Sequence, residues 1–232
     1  MNVALCLYGC HPAEAETLAV LLDALQGISF CDVFFVTWEG TKAESLLRMK
    51  ALQAVCTANV RLRHVLFNDP YVSDAKVAGL CAKDNKSLNT FENFYARKVA
   101  CLLSEWIKAK DAIEYDLVIC CRAGTCINRP LMLPNYRKYF ECGYVILPDN
   151  TYNQVYIPFQ EEFAFGVPDA MFRYSMAYDF IEVCAPTNDA GEKQYPDPGW
   201  IMLRYLNEQR IPFGHGNFRA CHLSMPGEKT CF

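Results

Sequence analysis

Two apolar runs early in the chain and one in its middle restrict the fold more than any other feature. Val3-Ala4-Leu5-Cys6-Leu7-Tyr8-Gly9, Asp32-Val33-Phe34-Phe35-Val36-Thr37-Trp38 and Tyr115-Asp116-Leu117-Val118-Ile119-Cys120-Cys121 are too short for buried helices and almost without polar interruption. Such runs suit strands covered on both faces. Val60 to Phe67 alternates instead, with Val60, Leu62, His64 and Leu66 on one side and Arg61, Arg63 and Val65 on the other. Helical patterns lie between the Val3, Asp32 and Val60 segments. Pro12 opens one that carries Leu18, Leu21, Leu22 and Leu25 and stops at Gly27. Thr41 and Glu44 form a capping-box pattern before a second, with Leu47, Ala51, Ala54 and Val55 as its apolar face. Strand–helix–strand–helix–strand predicts parallel pairing with right-handed crossovers.

Beyond Phe67 the pattern continues with longer gaps. Asn68 to Leu88 reads as a loop long enough for a functional lid. A long helix follows, with Phe91, Tyr95, Val99, Leu102 and Trp106 expected on its buried side, and leads into the Tyr115 strand, which ends at Arg122-Ala123-Gly124. Residues 143–147 form another strand, and Phe163-Ala164-Phe165-Gly166 reads as strand-like. Pro168 starts a helix with Met171, Tyr174, Tyr178 and Ile181, and a polar loop from Pro186 to Gly199 precedes a last helix from Trp200 to Gln209. No repeat, linker or compositional break divides the chain, so a single domain over residues 1–232 is expected. The fold class is α/β, a Rossmann-like domain with a mostly parallel central sheet flanked by helices.

Composition narrows the class of protein. Hydrophobic residues make up 52% of the 232 and charged residues 21%, enough for a sizeable core and too apolar for a disordered chain. The formal net charge is −4 and no basic run occurs, which speaks against nucleic acid as a partner. No apolar stretch approaches the roughly 20 residues of a membrane span, and the first residues read straight into a strand rather than a leader. The 13 cysteines are odd in number and contain no Cys-x-x-Cys pair, so neither a zinc site nor a disulfide framework is indicated. Buried reduced thiols in a cytoplasmic protein are the expectation.

In open α/β sheets ligands bind beyond the carboxyl ends of the strands, where strand order reverses. That rule selects Tyr8-Gly9, Thr37-Trp38 and Arg122-Ala123-Gly124. Gly9 would let a ligand approach the backbone, Tyr8 or Trp38 would stack on a base, and Arg122 would offer a planar fork to phosphate or pair with a neighbouring carboxylate. Gly-x-Gly-x-x-Gly, the P-loop motif and Gly-x-Ser-x-Gly are all missing, which sets aside dinucleotide oxidoreductases, P-loop NTPases and serine hydrolases. His11 and His215 lie in turns without a second metal ligand at suitable spacing. Asp149, Asp197 and the Glu161-Glu162 pair are the turn carboxylates that would serve as a base or metal ligand.

Taken in order, Val3–Gly9, Asp32–Trp38, the Tyr115 strand with Arg122, and the block Phe163-Ala164-Phe165-Gly166-Val167-Pro168-Asp169-Ala170-Met171 resemble GT-A-type glycosyltransferases, similar to those of bacterial surface-polysaccharide loci and large DNA viruses of algae. The resemblance spans residue 3 to about residue 210. It implies a nucleotide sugar as donor, a glycan or glycoprotein hydroxyl as acceptor, Mn²⁺ or Mg²⁺ on the diphosphate, and a cytoplasmic site of action (the host cytoplasm for a viral protein). It places Tyr8, Gly9, Thr37 and Trp38 in the nucleotide pocket and lets Arg97 or Lys98 reach the diphosphate. Arg122 would begin an Arg-x-Asp-like motif, but its third position is Gly124 rather than the metal-binding Asp. Asp149, or Glu161 and Glu162, are the carboxylates left to replace it, and Asp197 is a candidate acceptor contact or base. A catalytically idle relative that holds a sugar nucleotide or glycan is the alternative; so is a methyl or acyl transferase of α/β fold.

Overall fold

The computed structural model describes residues 1–9, 11, 13–38, 42–68, 85–149, 151–152, 155–156, 162–184 and 198–222. The elements run β1 (Asn2–Tyr8), α1 (Glu14–Ala24), β2 (Leu25–Gln26), β3 (Phe30–Trp38), α2 (Lys42–Val55), β4 (Val60–Asn68), α3 (Asn85–Asp111) and β5 (Leu117–Arg122). They continue with β6 (Thr125–Ile127), β7 (Leu131–Met132), α4 (Arg137–Glu141), β8 (Val145–Leu147), β9 (Thr151–Tyr152), β10 (Val155–Tyr156) and β11 (Phe163–Gly166). Last come α5 (Pro168–Ser175), α6 (Ile181–Cys184), α7 (Pro198–Glu208), β12 (Phe213–His215) and β13 (Ala220–His222).

Seven strands form the central sheet in the order β12-β8-β11-β5-β1-β3-β4. Four of its six neighbouring pairs are parallel, and β11 is inserted antiparallel between β8 and β5. The expected mostly parallel α/β sheet flanked by helices is therefore observed. From β1 the chain builds outward through β3 to β4, then crosses back to place β5 on the other side of β1. The order reverses between β1 and β5, so the ligand crevice that such sheets form would fall at their carboxyl ends.

Strand parity divides the core in two. Val3, Leu5 and Leu7 of β1 face a layer containing Leu18 and Leu21 of α1 and Leu52 of α2. Ala4, Cys6 and Tyr8 face the opposite layer, built from α3, α5 and α7 with Phe94, Met171, Tyr174 and Met202. Because β1, β3 and β5 are covered on both faces, nearly every residue in them is buried, which explains their continuous apolar runs.

Two helix faces differ from expectation. On α3 the inward stripe is Asn93, Ala96, Arg97, Ala100, Cys101, Ser104 and Ile107, whereas Leu102 and Trp106 are exposed. Small residues at 96, 100, 101 and 104 let the helix lie close on the sheet, and the bulky apolar residues fall to its flanks. On α2 the buried anchor is Leu52, while Leu47 is exposed. The helix of α1 ends at Ala24; Leu25 and Gln26 pair with Leu131 and Met132 as a short parallel ribbon. The loop expected over 68–88 falls mainly on 69–84, outside the described residues, and α3 begins at Asn85 rather than beyond Leu88. None of the helices among the described residues is long and apolar enough to cross a membrane.

Candidate functional site

At the carboxyl edge the strand tips are laced together by backbone hydrogen bonds. Tyr8 is the register partner of both Val36 and Arg122. The Gly9 N–H donates to Val36 O at 3.1 Å, Ala123 N–H to Tyr8 O at 2.7 Å, and Arg122 N–H to Glu162 O at 2.8 Å. The ends of β1, β3 and β5 and the entrance to β11 thus form one continuous rim. Gly9 has φ +91, the left-handed region in which side chains are rarely accommodated. A Cβ there would lie 3.0 Å from Asn93 Oδ1 and 3.6 Å from Arg122 Cγ. The glycine therefore keeps the crevice open between α3 and the tip of β5.

Arg122 carries the charge of this rim. It is partly exposed and faces Glu162, with Nη1 3.5 Å from Oε1. Burial pushes the Glu162 carboxyl above the usual carboxylate range, and the Arg122 guanidinium counteracts part of that rise. At 3.5 Å the pair is loose, so both groups can turn toward a ligand.

The β3 tip is held differently. Arg48, reaching up from α2, donates to the Thr37 hydroxyl, to Trp38 O at 3.2 Å, and to Glu14 through Nε at 2.9 Å. Glu14 Oε1 also accepts the His11 N–H at 3.2 Å. Arg48 and Glu14 thus brace the β1–α1 and β3–α2 corners against each other. Thr37 is fully buried and bonded to Arg48, so its side chain serves this brace; Trp38 is half-buried.

Tyr8 contributes only backbone to the crevice. Its ring is 2% exposed and has the Arg97 guanidinium 5.9 Å from its centroid, which corrects the expectation that it would stack on a base. Arg97 is itself 1% exposed. It packs over Phe94 at 4.5 Å and Tyr174 at 4.6 Å, donates to the Tyr174 hydroxyl at 3.3 Å, and has Nη2 3.1 Å from Met202 Sδ. It lies under the crevice floor. Lys98 points along the neighbouring flank of α3 to an ion pair with Asp179, away from that floor.

Asp149 follows β8, which is separated from β5 by β11. Its N–H donates to Phe218 O at 2.7 Å, and His215 Nδ1 donates to the preceding Pro148 carbonyl at 2.9 Å. Glu161 and Asp197 lie outside the described residues. Among the described residues no group of three or more His, Cys, Asp or Glu side chains could hold a metal ion. Gly124 (φ +88) supplies no carboxylate at the β5 tip, and the Arg122 guanidinium facing Glu162 repels a cation from that single carboxylate. The described donor set does not fit a diphosphate-bound divalent cation.

Two polar side chains at this edge had no signal in the sequence. Glu92 is 5% exposed and Asn93 is 8% exposed. Burial alone raises the Glu92 carboxyl above its ordinary range. Their helix otherwise reads as amphipathic, and a lone Glu-Asn dipeptide is indistinguishable in sequence from a solvated flank.

No protein-family model matches the chain, and no curated protein matches it. Among solved structures, the apo crystal structure of mouse xyloside xylosyltransferase 1 is similar at a TM-score of 0.48 and 10% sequence identity, covering 93% of this chain and 85% of that chain. A likeness of that order leaves the function of this chain open.

Proposed function

We propose that this chain is a GT-A-type glycosyltransferase that binds a nucleoside-diphosphate sugar across the β1–β5 crevice and transfers the sugar to a hydroxyl of a glycan or glycoprotein. The observation that carries the reading is the meeting of Gly9 and Arg122: backbone without a side chain at the β1 tip and a partly exposed arginine at the β5 tip, whose Cγ lies 3.6 Å from the point a Cβ on Gly9 would occupy. Backbone approach beside a guanidinium suits a diphosphate. The ordered set of sequence motifs supports the sugar-transfer half of the reading.

In this reaction the acceptor oxygen bonds to the anomeric carbon as the bond from that carbon to the phosphate oxygen breaks. The nucleoside diphosphate leaves with the electron pair, and Arg122 stabilises its growing charge. Glu162 takes the acceptor proton, and the burial that raises its affinity for protons suits a base. No step is routed through a metal, because the described residues do not assemble a set of ligands for one.

Gly124 favours a second reading, a catalytically idle relative that only holds the sugar nucleotide, since the carboxylate of the motif is missing there. Thermal-shift screening with UDP-, GDP- and dTDP-sugars, with and without Mn²⁺, tests both readings. Stabilisation by at least one is expected, and none by any would end them together. Release of nucleoside diphosphate on incubation then selects the enzyme; binding without release selects the idle relative.

A further inference from the structure

An unpartnered polar atom in a protein interior costs free energy, and folded chains retain few of them. Thr125 is 1% exposed, and its hydroxyl has no hydrogen-bond partner among the described residues. Burial raises the neighbouring Cys121 thiol and the Thr125 hydroxyl eases that rise. A thiol is a weak partner, however, and this contact falls short of hydrogen-bond geometry. Strand parity shows which way the side chain faces. Along β6, Thr125 and Ile127 are buried while Cys126 is half-buried, and Ile127 joins the layer that holds Leu18 and Leu21 of α1. Thr125 therefore faces α1, which packs on β6. The two elements do not close completely. A recess between them is lined by Glu14 and Thr17 from the start of α1, by Leu18, and by the chain from Cys121 to Thr125. The centre of a water molecule has about 10 Å³ to move in there, which is room for one molecule.

We propose that this recess is a binding site for a single water molecule, which accepts the Thr125 O–H and donates to oxygen acceptors at the start of α1. A buried water needs two to four polar partners, and the lining supplies them. The Thr17 hydroxyl gives its own proton to Ala13 O at 2.9 Å or Glu14 O at 3.0 Å, which leaves its lone pairs to accept. The Glu14 carboxylate accepts from Arg48 and from the His11 N–H, and a carboxylate has about four acceptor positions. The charges of the lining balance, since Glu14 is paired with Arg48 and Arg122 faces Glu162. A neutral occupant suits such a lining better than an ion, whose desolvation would go uncompensated. The water would lie behind Arg122-Ala123-Gly124, the turn that leads from β5 into β6, and tie that turn to the first turn of α1. The site is independent of what the crevice binds.

High-resolution crystal structures of full-length wild type, Thr125→Ser and Thr125→Val, with a thermal melt of each, test the site. In wild type a solvent peak is expected about 2.5–3.0 Å from Thr125 Oγ1 and from a second oxygen on α1. Thr125→Ser keeps the hydroxyl and should keep the peak. Thr125→Val keeps the shape of the side chain and removes the bond. Its peak should be lost, and its melting temperature should fall by about 2–4 °C, the effect of one hydrogen bond in a chain of this length. A wild-type recess without a solvent peak overturns the proposal, and so does a Thr125 hydroxyl bonded directly to a protein group. A Thr125→Val melting temperature equal to or above that of wild type also overturns it, because an idle hydroxyl would then have been removed without loss. Soaking wild-type crystals in rubidium chloride separates water from a monovalent cation. No anomalous signal is expected in the recess; a signal there would make the occupant an ion and refute the assignment.

Discussion

Arg122 and Glu162 meet twice, once through the chain and once through side chains. The Arg122 N–H donates to Glu162 O at 2.8 Å, and its Nη1 stands 3.5 Å from Glu162 Oε1. The backbone bond fixes where the pair sits, while the looser outer contact leaves the guanidinium free to turn.

From that arrangement, Arg122→Ala is expected to lower nucleotide-sugar affinity and turnover about tenfold or more through loss of charge-assisted bonds. A partly exposed ion pair contributes only about 0–1 kcal/mol to folding, so the melting temperature should move by a few degrees at most. Titration calorimetry and a thermal melt on one preparation check both halves. Unchanged binding removes Arg122 from the site.

Gly9→Ala should damage the same crevice through backbone and space together. At φ +91 a side chain is strained, and its Cβ would press on Asn93 Oδ1 at 3.0 Å. A loss of about 1–2 kcal/mol in folding is expected, with weaker nucleotide binding. Denaturant unfolding gives the first quantity. Stability equal to wild type would show that the turn relaxes to accept the methyl group.

The desolvated Glu92 makes a pH prediction with a definite sign. Its folded-state carboxyl keeps its proton to higher pH than in the unfolded chain. Between the ordinary carboxylate range and that raised value the native state binds more protons, so stability falls as pH rises through the window. Glu162 is shifted in the same direction and adds to the slope. The stability advantage of Glu92→Gln over wild type should therefore grow from about pH 4 to pH 7. Urea midpoints at several pH values test this; a difference independent of pH refutes it.

Away from the crevice, Asp32 is expected to be the most sensitive carboxylate in the sheet. Its side chain is fully buried, receives Arg61 Nε at 2.9 Å and Nη2 at 3.1 Å, and accepts the Tyr115 hydroxyl at 2.7 Å, with Arg63 Nε 3.8 Å away. Asp32→Ala strands these donors and should cost about 3–5 kcal/mol, whereas Tyr115→Phe removes one bond and should cost about 1–2 kcal/mol. Equilibrium unfolding ranks them, and equal losses would contradict the assignment.

Cysteine reactivity offers a simple test of packing. Cys142 is exposed, whereas Cys6, Cys31, Cys101 and Cys120 are buried. Burial pushes the Cys31 thiol up to about 12. Cys101 and Cys120 lie with sulfurs 3.4 Å apart inside the core. Alkylation followed by peptide mapping should label Cys142 in the native protein and these four only after unfolding. Early labelling of Cys101 or Cys120 would mean that the α3 layer opens.

The strands were legible in sequence because burial on both faces leaves a continuous apolar run, as in Val3–Tyr8 and Leu117–Cys121. The crevice followed from their order alone. The α3 face was not legible: hydrophobic periodicity points to Tyr95, Leu102 and Trp106, yet close packing on the sheet draws in Ala96, Ala100 and Ser104 and buries Arg97 under aromatic rings. The Arg48–Glu14–Thr37 brace joins residues far apart in the chain and has no local pattern to betray it. The antiparallel placement of β11 was hidden as well, since four residues carry no sense of direction.

That reversed strand has a consequence for how the binding edge changes. Elsewhere along the rim, chain arrives from below, at the exit of a strand already committed to the core. At β11 it arrives from above, so Glu162 is delivered by the segment leading into the strand. Lengthening or recomposing that leader would exchange the neighbour of Arg122 while Phe163 and Phe165 stay anchored, which lets chemistry at the edge diverge without rebuilding the scaffold.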